Sequence, residues 1–309
     1  MTMEKVRTVL IDEDSAGQRL DNFLLRELKG VPKSKVYRVI RRGEVRINGG
    51  RAKPLQKLKA GDRVRIPPVR QGEPGPAAVG SFQDLDALIL FEDSHLLILN
   101  KPAGMAVHGG SGVQAGVIES LRHALPREKH LELVHRLDRG TSGCLMVAKK
   151  RKYLKLLQDA LRRPGRISKF YQAVVHGAWP DTLDAVDQNL LTVSRSGQER
   201  FTRVDPVGKP ALTTFREIAR AESLSWIEAS PKTGRTHQIR VHARWARYPI
   251  VGDDRYGDQA RDELLAVRPR RMLLHAHRLV IPAMDDRPAI EVAAPLDQRF
   301  SAFTEKYFH

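Results

Sequence analysis

The sequence of 309 residues predicts an α+β protein with a small N-terminal domain and a large C-terminal domain. Its strand-like segments do not alternate regularly with helices, which favours a mixed, mainly antiparallel sheet in the large domain. Between the domains, "PPVRQGEPGPAAVG" is rich in Pro, Gly and Ala and has no apolar periodicity, as is typical of a linker. The predicted boundaries are 1–67 for the small domain, 68–81 for the linker and 82–309 for the large domain.

The small domain is predicted to contain two helices and a small sheet. Apolar residues recur at helical spacing over 20–28, and a second helix is expected to begin near Pro32 and to end before Gly43. Two stretches of alternating polarity follow, one before the Asn48-Gly49 turn and one after "KAGD", and each predicts a strand. We therefore expect two helices packed against a hairpin-like sheet.

Positive charge is concentrated in the small domain and on its second helix. The whole chain has 53 Lys and Arg against 36 Asp and Glu, a net charge of +17, and residues 1–70 hold 18 of the basic and 8 of the acidic residues. Such an imbalance favours a polyanionic partner, because neutralised phosphates release condensed counterions, although a charged helix face is usually just solvated. The residues predicted to bind nucleic acid are Lys35, Arg38, Arg41 and Arg42.

The large domain is predicted to contain longer strands and several helices. Helices are expected at 117–125, 152–163, 238–245 and the C-terminus. Strands are expected at 170–176, 213–218, 225–229 and 274–281.

Three features of the sequence bear on its compartment and on bound metal. The start "MTMEKVRTVL" has no apolar run long enough for a signal peptide, and no later run approaches the ~20 residues of a membrane span. The single cysteine, Cys144, excludes an internal disulfide and a zinc site built on cysteines. His237 and His242 are five positions apart, a spacing that does not place both on one helical face. We expect a cytoplasmic protein with no membrane partner and no metal.

The stretch "HRLDRGTSG" places one carboxylate, Asp138, between Arg136 and Arg139 where an apolar segment is interrupted. Nearby cations favour the ionised form of a carboxylate, so Asp138 would be a poor general acid but a reasonable nucleophile or base. From these nine residues alone, a structural Asp-Arg pair that ties a loop is the more common interpretation.

Two further segments carry polar residues in a pattern that suggests a site. In "SPKTGRTHQIRVH", Pro231 and Gly234 mark a tight turn, Thr236 is the expected N-cap of the next helix, and Arg235 would be presented to an anion there. In "SKFYQAVVHG", strand alternation places Tyr171 on the opposite face from its apolar neighbours. Tyr171 could be a core residue or a platform on which a base stacks.

A glycosidase is a third interpretation of the single carboxylate. Hydrolysis of a glycosidic bond normally uses two carboxylates about 5–9.5 Å apart, and "HRLDRGTSG" supplies one. Asp253 and Asp254 in "VGDDRYGD" could be distant partners, but an adjacent pair in a Gly-flanked turn more often faces solvent.

The small domain resembles the S4 RNA-binding domain over nearly all of residues 15–67. The resemblance lies in "QRLDNFLLRELKGVPKSKVYRVIRRGEVRINGGRAKPLQKLKAGDRVRI", in particular its "IRRGEVRING" turn and its final "GD" strand. It implies an αL-type domain that binds RNA and performs no chemistry.

The large domain resembles the RluA-type pseudouridine synthases. "LNKPAGMAVHGGSG", "HRLDRGTSGCLMVAKK", "KFYQAVVHG", "TGRTHQIRVHA" and "LLLHAHRL" occur in the order and approximate spacing of that family. "AVHGGSG", "SRSGQERFTRVDPVGKPALTTF" and "DDRYGD" look most like the branch that modifies large-subunit ribosomal RNA. One departure is Gly140, where the family often has an acidic residue.

The resemblance implies a catalytic domain of the pseudouridine synthase fold that isomerises uridine without a cofactor. By the family pattern Asp138 is the catalytic aspartate, Tyr171 stacks on the uracil, and Arg235 pairs with the aspartate. Arg136 fills the space left by the flipped nucleotide, and Leu274 packs on the base. The implied partner is 23S ribosomal RNA, bound by a monomer.

Three alternatives remain open from the sequence. The protein could be an RNA-binding ribosome-assembly factor without catalysis, or a synthase that acts on another structured RNA such as tRNA. It could also be an N-glycosidase, which would release free uracil and leave an abasic site.

Overall fold

The structure is a computed structural model that describes residues 6–13, 15–28, 31–69, 85–109, 116–128, 130–193 and 201–308. These residues belong to two units: the first comprises the described residues up to Val69 together with Lys150–Lys152, and the second comprises the remaining residues from Leu85 onward. In this part of the chain, no helix combines the length and apolar character needed to cross a membrane.

The first unit contains two helices and a four-stranded antiparallel sheet. Helix α1 spans Leu20–Glu27 and α2 spans Lys33–Arg41, as the periodicity predicted. The sheet has the order β1-β4-β2-β3, with strands at Arg7–Leu10 (β1), Arg46–Ile47 (β2), Gly50–Arg51 (β3) and Arg63–Ile66 (β4). The sequence did not predict β1, which pairs with β4. The core shared by helices and sheet includes Leu20, Phe23, Leu24, Val36, Ile40, Val64 and Ile66.

The second unit is built on a mixed sheet of ten strands in which the pairing is mainly antiparallel, as predicted. The central path has the order β10-β13-β14-β9-β15-β8-β6-β5, with β16 beside β15 and β7 beside β8. Its strands are Ile89–Glu92 (β5), Leu96–Lys101 (β6), Glu132–Leu133 (β7), Ser142–Ala148 (β8), Ser168–His176 (β9), Ala185–Asp187 (β10), Leu212–Arg220 (β13), Leu224–Pro231 (β14), Leu274–Ile281 (β15) and Ile290–Ala293 (β16). A separate pair joins Leu190–Val193 (β11) to Phe201–Val204 (β12).

Five α-helices accompany this sheet. They are Val117–Ala124 (α3), Arg151–Arg162 (α4), Gln238–Trp245 (α5), Gln259–Leu264 (α6) and Gln298–Phe308 (α7). The predicted helix at 238–245 and the predicted strand at 274–281 coincide with α5 and β15. The reason is that both segments have a clear apolar pattern between well-marked turns.

The first unit extends slightly beyond its predicted end. Val69 is 4% exposed and packs in the core of this unit, so the unit continues two residues past position 67. The rest of the predicted linker, positions 70–81, lies outside the described residues, as do positions 194–200 of the "SRSGQERF" motif.

A close approach between β8 and β15 shapes the centre of the sheet. These two strands pair in parallel, with Ser142 opposite His275 and Gly143 opposite Ala276. Gly143 has φ +103°, and a Cβ at this position would lie 2.3 Å from the carbonyl oxygen of Ala276. Only glycine tolerates both the backbone conformation and the contact. The approach brings the loop before β8 next to the start of β15.

Replacing Gly143 by Ala is expected to lower the free energy of unfolding by about 3 kcal/mol or more, because the methyl group must displace the backbone of β15 and the φ angle is strained. Gly234→Ala is the matched control, since Gly234 has no heavy atom within 4 Å of an added Cβ. Urea denaturation measures both variants. Equal stability of the two variants would show that β8 and β15 are not in this close contact.

Candidate active site

Asp138 lies on the loop that connects β7 to β8. The loop is anchored on both sides of this residue, because Leu137 is buried in the core and the Thr141 amide donates to the Asp138 carbonyl oxygen at 3.1 Å. The Asp138 side chain is 17% exposed and borders a cavity of about 450 Å³. The loop therefore presents a half-buried carboxylate to an open cavity.

A buried lysine anchors the same loop from the end of β6. Lys101 is 1% exposed, and its Nζ donates to the carbonyl oxygens of Pro102 and Met105 at 2.8 Å and of Arg139 at 3.3 Å. Burial lowers the pKa of Lys101 to about 7, with a further decrease from Arg271 and an opposing increase from Asp138. Because Arg139 directly follows Asp138, this lysine fixes the backbone next to the carboxylate.

Arg240, in the first turn of α5, forms the ion pair with Asp138. Its Nη1 donates to Asp138 Oδ2 at 3.1 Å, while Nε and Nη2 each donate to Asp253 at 2.7 Å. Its guanidinium also lies over the ring of Tyr256, 5.0 Å from the centroid. Burial lowers the pKa of Arg240, but the hydrogen bonds and charges of Asp253 and Asp138 outweigh burial and raise this pKa above its usual range. Nη2 also donates to Oδ1 of the exposed Asp254 at 3.4 Å, so one buried guanidinium contacts three carboxylates.

The expected pairing of Arg235 with Asp138 is wrong in this structure. Arg235 lines the same cavity, but its Nε donates to the carbonyl oxygen of Pro210 at 3.0 Å. The expected N-cap is also wrong, since His237 and not Thr236 occupies that position, with φ +54°. The left-handed residue turns the chain between Arg235 and α5, so the two arginines point to different partners.

The Asp253-Asp254 pair is divided between the interior and solvent. The Asp253 side chain is fully buried, whereas that of Asp254 is 93% exposed. Burial would raise the pKa of Asp253, but the hydrogen bonds from Arg240 and from the amides of Tyr256 and Arg255 hold this pKa below its usual range. The expectation that both residues face solvent is therefore wrong for Asp253.

The residues expected to hold the nucleotide all line the cavity that Asp138 borders. Tyr171 lies on β9 and is 9% exposed, and Leu274 begins the neighbouring strand β15. Arg136 is exposed and lies two residues before Asp138. Burial, together with the charge of Asp138, raises the pKa of Tyr171 well above its usual range. The structure thus brings the predicted site residues to one cavity, and their individual roles stay predictions.

His237 is a site residue that the sequence analysis did not select. Its Nε2 lies 3.7 Å from Asp138 Oδ1, and its Nδ1 is 2.9 Å from the hydroxyl of Tyr256. Burial lowers the pKa of His237, while the charge of Asp138 opposes this decrease and that of Arg240 adds to it. Spacing could have indicated both residues, since His237 and Arg240 are three positions apart at the start of a predicted helix.

Two other histidines of the second unit, His135 and His275, make hydrogen bonds within the fold. His135 Nε2 accepts from the Met146 amide at 3.1 Å, and burial lowers the pKa of His135 to about 3, with a smaller effect of Lys169. His275 Nδ1 lies 2.8 Å from the Ser142 hydroxyl, and burial lowers the pKa of His275 to about 4. Within the described ranges, no group of three or more His, Cys, Asp or Glu side chains could hold a metal ion.

The predicted RNA-binding residues lie on the first unit. Arg38 and Arg41 belong to α2 and Arg42 follows it, and all three are exposed. Lys35 is half-buried on the same helix. The apolar residues of α2 are buried, so the arginines lie on the side of the helix that can meet an anionic partner.

Comparison with known proteins identifies the class of this chain. Residues 95–245 match the family of RNA pseudouridylate synthases, and residues 18–64 match the S4 domain. Among solved structures, human RNA Pseudouridylate Synthase Domain Containing 4 is similar with a TM-score of 0.59 and 25% identity, covering 72% of this chain and 93% of that chain. Human RNA Pseudouridylate Synthase Domain Containing 1 is similar with a TM-score of 0.55 and 27% identity, covering 67% of this chain and 82% of that one.

Some relatives are similar to this chain over nearly its whole length. The chain is 48% identical over 299 residues to ribosomal large subunit pseudouridine synthase C of Pasteurella multocida (strain Pm70). The matched region covers 95% of this chain and 91% of that protein. It is also 48% identical over 308 residues to the protein of the same name from Escherichia coli (strain K12), with coverage of 97% and 96%. The chain belongs to the RNA pseudouridine synthase family and is an isomerase with an N-terminal S4 domain.

Replacing Arg240 by Gln is expected to lower the free energy of unfolding at pH 7 by about 3–5 kcal/mol, because Asp253 is then buried without a counter-ion. In the wild type the folded pKa of Asp253 is lowered, so its stabilisation is present above the unfolded pKa of about 3.9 and is lost as the pH falls through the folded value. In the variant this pKa should rise, so the deficit should be largest at neutral pH and narrow on acidification. Urea denaturation across this pH range measures the deficit.

Arg235→Gln is the matched control for this experiment. Arg235 donates to one backbone carbonyl, so its replacement should cost about 1 kcal/mol or less, with little dependence on pH. Deficits of equal size and equal pH dependence in the two variants would mean that Arg240 is not the buried partner of Asp253.

Proposed function

We propose that this protein isomerises specific uridines to pseudouridine in large-subunit (23S) ribosomal RNA, with Asp138 acting on the ribose of a flipped-out uridine. One observation supports this most directly: Arg240 holds the carboxylate of Asp138 at the edge of a cavity lined by Tyr171 and Leu274. Relatives that match nearly the whole chain are named ribosomal large subunit pseudouridine synthase C, which supports the choice of RNA.

The proposed reaction requires one carboxylate and conserves atoms. The C1'–N1 bond of uridine breaks, the uracil turns in the site, and C1' is joined to C5, while the proton lost from C5 is balanced by the proton gained at N1. Asp138 can serve either by attacking C1' or by removing the hydrogen at C2', and Arg240 supplies its counter-charge in both cases.

Tyr171 is suited to hold the uracil in this scheme. Its pKa is raised by burial and by the charge of Asp138, so its phenol is neutral at physiological pH. A neutral aromatic ring beneath a base contributes about 1–3 kcal/mol of stacking. That gain can offset part of the few kcal/mol needed to flip a nucleotide, a cost that is lower in unpaired RNA.

The surroundings of Asp138 favour isomerisation over hydrolysis. A hydrolase of the two-carboxylate type needs a protonated carboxyl near the scissile bond. The carboxylate of Asp253, the buried neighbour across Arg240, receives two hydrogen bonds from that guanidinium, and its pKa is lowered. Asp253 is thus kept ionised and cannot act as the acid.

Arginines border the site on the side from which RNA would approach. A second and wider cavity of about 1460 Å³ also reaches Asp138 and His237. It is lined by Arg136, Arg139, Arg255, Arg270, Arg271 and Arg299. Guanidinium groups suit phosphate recognition because of their fixed donor geometry, so this rim can accept the backbone that flanks the target uridine.

Cells that lack the protein are expected to lose pseudouridine at particular positions of large-subunit ribosomal RNA. A wild-type copy should restore them, and Asp138→Asn should not, because the amide can neither attack C1' nor act as a base. Mapping of pseudouridine in total RNA measures the outcome. Unchanged ribosomal RNA with pseudouridine lost from tRNA would replace the proposed target, and full activity of Asp138→Asn would exclude the proposed mechanism.

The RNA affinity of the Asp138→Asn variant, read together with the pseudouridine map, distinguishes the proposed enzyme from the alternative functions. The purified Asp138→Asn variant should bind large-subunit RNA with an affinity close to that of the wild type, because most of the contacts are to phosphates. An assembly factor without catalysis would show no change in pseudouridine in any of these cells, and an N-glycosidase would release free uracil.

Replacing Arg38, Arg41 and Arg42 together by Gln is expected to weaken RNA binding and to flatten its dependence on salt. Each lost phosphate contact should reduce the slope of log affinity against log salt by about 1, because fewer counterions are released. Binding of a ribosomal RNA fragment at several salt concentrations measures the slope.

The matched control removes the same charge from exposed positions of the second unit, Lys155, Arg216 and Lys306. An equal decrease of the slope in both triple variants would mean that net charge alone, and not the face of α2, binds RNA.

Two finer points belong to this proposal. We propose a monomeric enzyme, which the molar mass in solution tests. Action on ribosomal RNA would place the protein in the cytoplasm with the ribosome.

A further inference from the structure

His237 occupies an unusual position at the beginning of α5. It is the N-cap residue of this helix and has φ +54°, a left-handed conformation that is unfavourable for residues with a Cβ. Left-handed residues other than glycine are often found where a side chain must be placed for function. Here the conformation directs the imidazole to the space between Tyr256 and Asp138.

The hydrogen bonds of Tyr256 favour one tautomer of His237. The hydroxyl oxygen of Tyr256 accepts a hydrogen bond from the Thr202 amide at 2.9 Å, so its own proton is available to His237 Nδ1, also 2.9 Å away. We assign this proton to the hydrogen bond with Nδ1, which places the proton of the imidazole on Nε2. The rings of His237 and Tyr256 meet edge to face, with centroids 5.4 Å apart, which holds the imidazole in this orientation.

The imidazole is neutral and has one donor left. Burial lowers the pKa of His237 below the usual value for histidine, so at neutral pH the ring carries a single proton. With Nδ1 occupied by Tyr256, the remaining donor is the Nε2–H, and His237 lines both cavities that border Asp138.

The two oxygens of Asp138 are in different situations. Oδ2 accepts from Arg240 Nη1 at 3.1 Å. Oδ1 lies 3.7 Å from His237 Nε2, a distance longer than a hydrogen bond. Oδ1 is therefore the oxygen that can approach the ribose. A polar group of the ribose next to Oδ1 would also be close to the Nε2–H of His237.

We propose that His237 binds the 2'-hydroxyl of the target uridine by donating a hydrogen bond from Nε2. The inference rests on the proposed function, because it requires that Asp138 act on a ribose. When Oδ1 faces C1' or the hydrogen at C2', the 2'-oxygen is attached to the same part of the sugar and is the polar group nearest to His237. The contact fixes the orientation of the ribose in front of Asp138.

This contact would also make the site selective for RNA. The 2'-hydroxyl is the group by which a protein distinguishes RNA from DNA at one nucleotide. A buried donor that meets this hydroxyl loses its partner when the hydroxyl is absent, and an unsatisfied donor is costly in an enclosed site. His237 is therefore assigned as a residue that determines specificity for the sugar.

The experiment measures the affinity of two RNAs that differ in one atom. They carry either uridine or 2'-deoxyuridine at a position that the wild-type enzyme modifies, and binding is measured in the Asp138→Asn background to avoid turnover. With His237 present, we expect the 2'-deoxy RNA to bind about tenfold more weakly. In the double variant that also carries His237→Asn, we expect the ratio of affinities to fall to about 1. Asn tolerates the left-handed backbone but does not place a donor where Nε2 lies.

Two further variants give the measurement its controls. Tyr256→Phe removes the hydroxyl that favours this tautomer. In the Asp138→Asn background, its ratio of affinities should lie between the ratio with His237 and the ratio with His237→Asn. His123→Asn changes an exposed histidine of α3 and should leave the ratio as it is with His237 present.

The inference is overturned if 2'-deoxyuridine weakens binding equally with and without His237, since the imidazole would then act through Asp138 or the fold alone. It is also overturned if 2'-deoxyuridine does not weaken binding when His237 is present. Failure of the proposed function is a different result: the wild-type enzyme would form no pseudouridine in ribosomal RNA, whichever residue occupies position 237.

Discussion

The buried guanidinium of Arg240 bridges two carboxylates from distant parts of the chain, Asp138 on the loop before β8 and Asp253 in the turn between α5 and α6. A charge removed from water is tolerated only when it is paired and its donors are used, and Arg240 meets this condition through two hydrogen bonds to Asp253. The remaining arm of the guanidinium is then fixed in direction, and it fixes Asp138. The position of the Asp138 carboxylate thus depends on Asp253, a residue that does not itself line the cavity next to Tyr171.

The rest of the site is organised around this ion pair. Lys101 joins the carbonyl oxygen of Arg139, the residue directly after Asp138, to the carbonyl oxygens of Pro102 and Met105, and so ties the loop to the end of β6. The contact of Gly143 with β15 brings the same loop beside Leu274 and the neighbouring Tyr171. Packing of the sheet therefore places the apolar residues, while electrostatics orient the carboxylate. Enclosed sites of this kind strengthen each charge interaction, because the local dielectric is low.

The proposed function assigns different tasks to the two units. Under that proposal the exposed arginines of α2 bind RNA through charge, which is long-ranged and tolerant of geometry. The cavity at Asp138 needs atoms placed to within a fraction of an ångström, and it is built from the central strands of a large sheet and the first turn of a helix. A small domain with short strands suits the first task, and only the larger core can support the second.

The sequence by itself determined the fold class, the elements with clear periodicity such as α5 and β15, and the family, and it selected Asp138 and Tyr171. Long motifs and apolar periods are properties of the chain order, so they can be read without coordinates. The tertiary structure alone decided that Arg240 and not Arg235 meets Asp138, that Asp253 is buried, and that His237 faces the site. These facts depend on the direction of side chains after a left-handed turn at His237, and spacing in a sequence does not contain that direction.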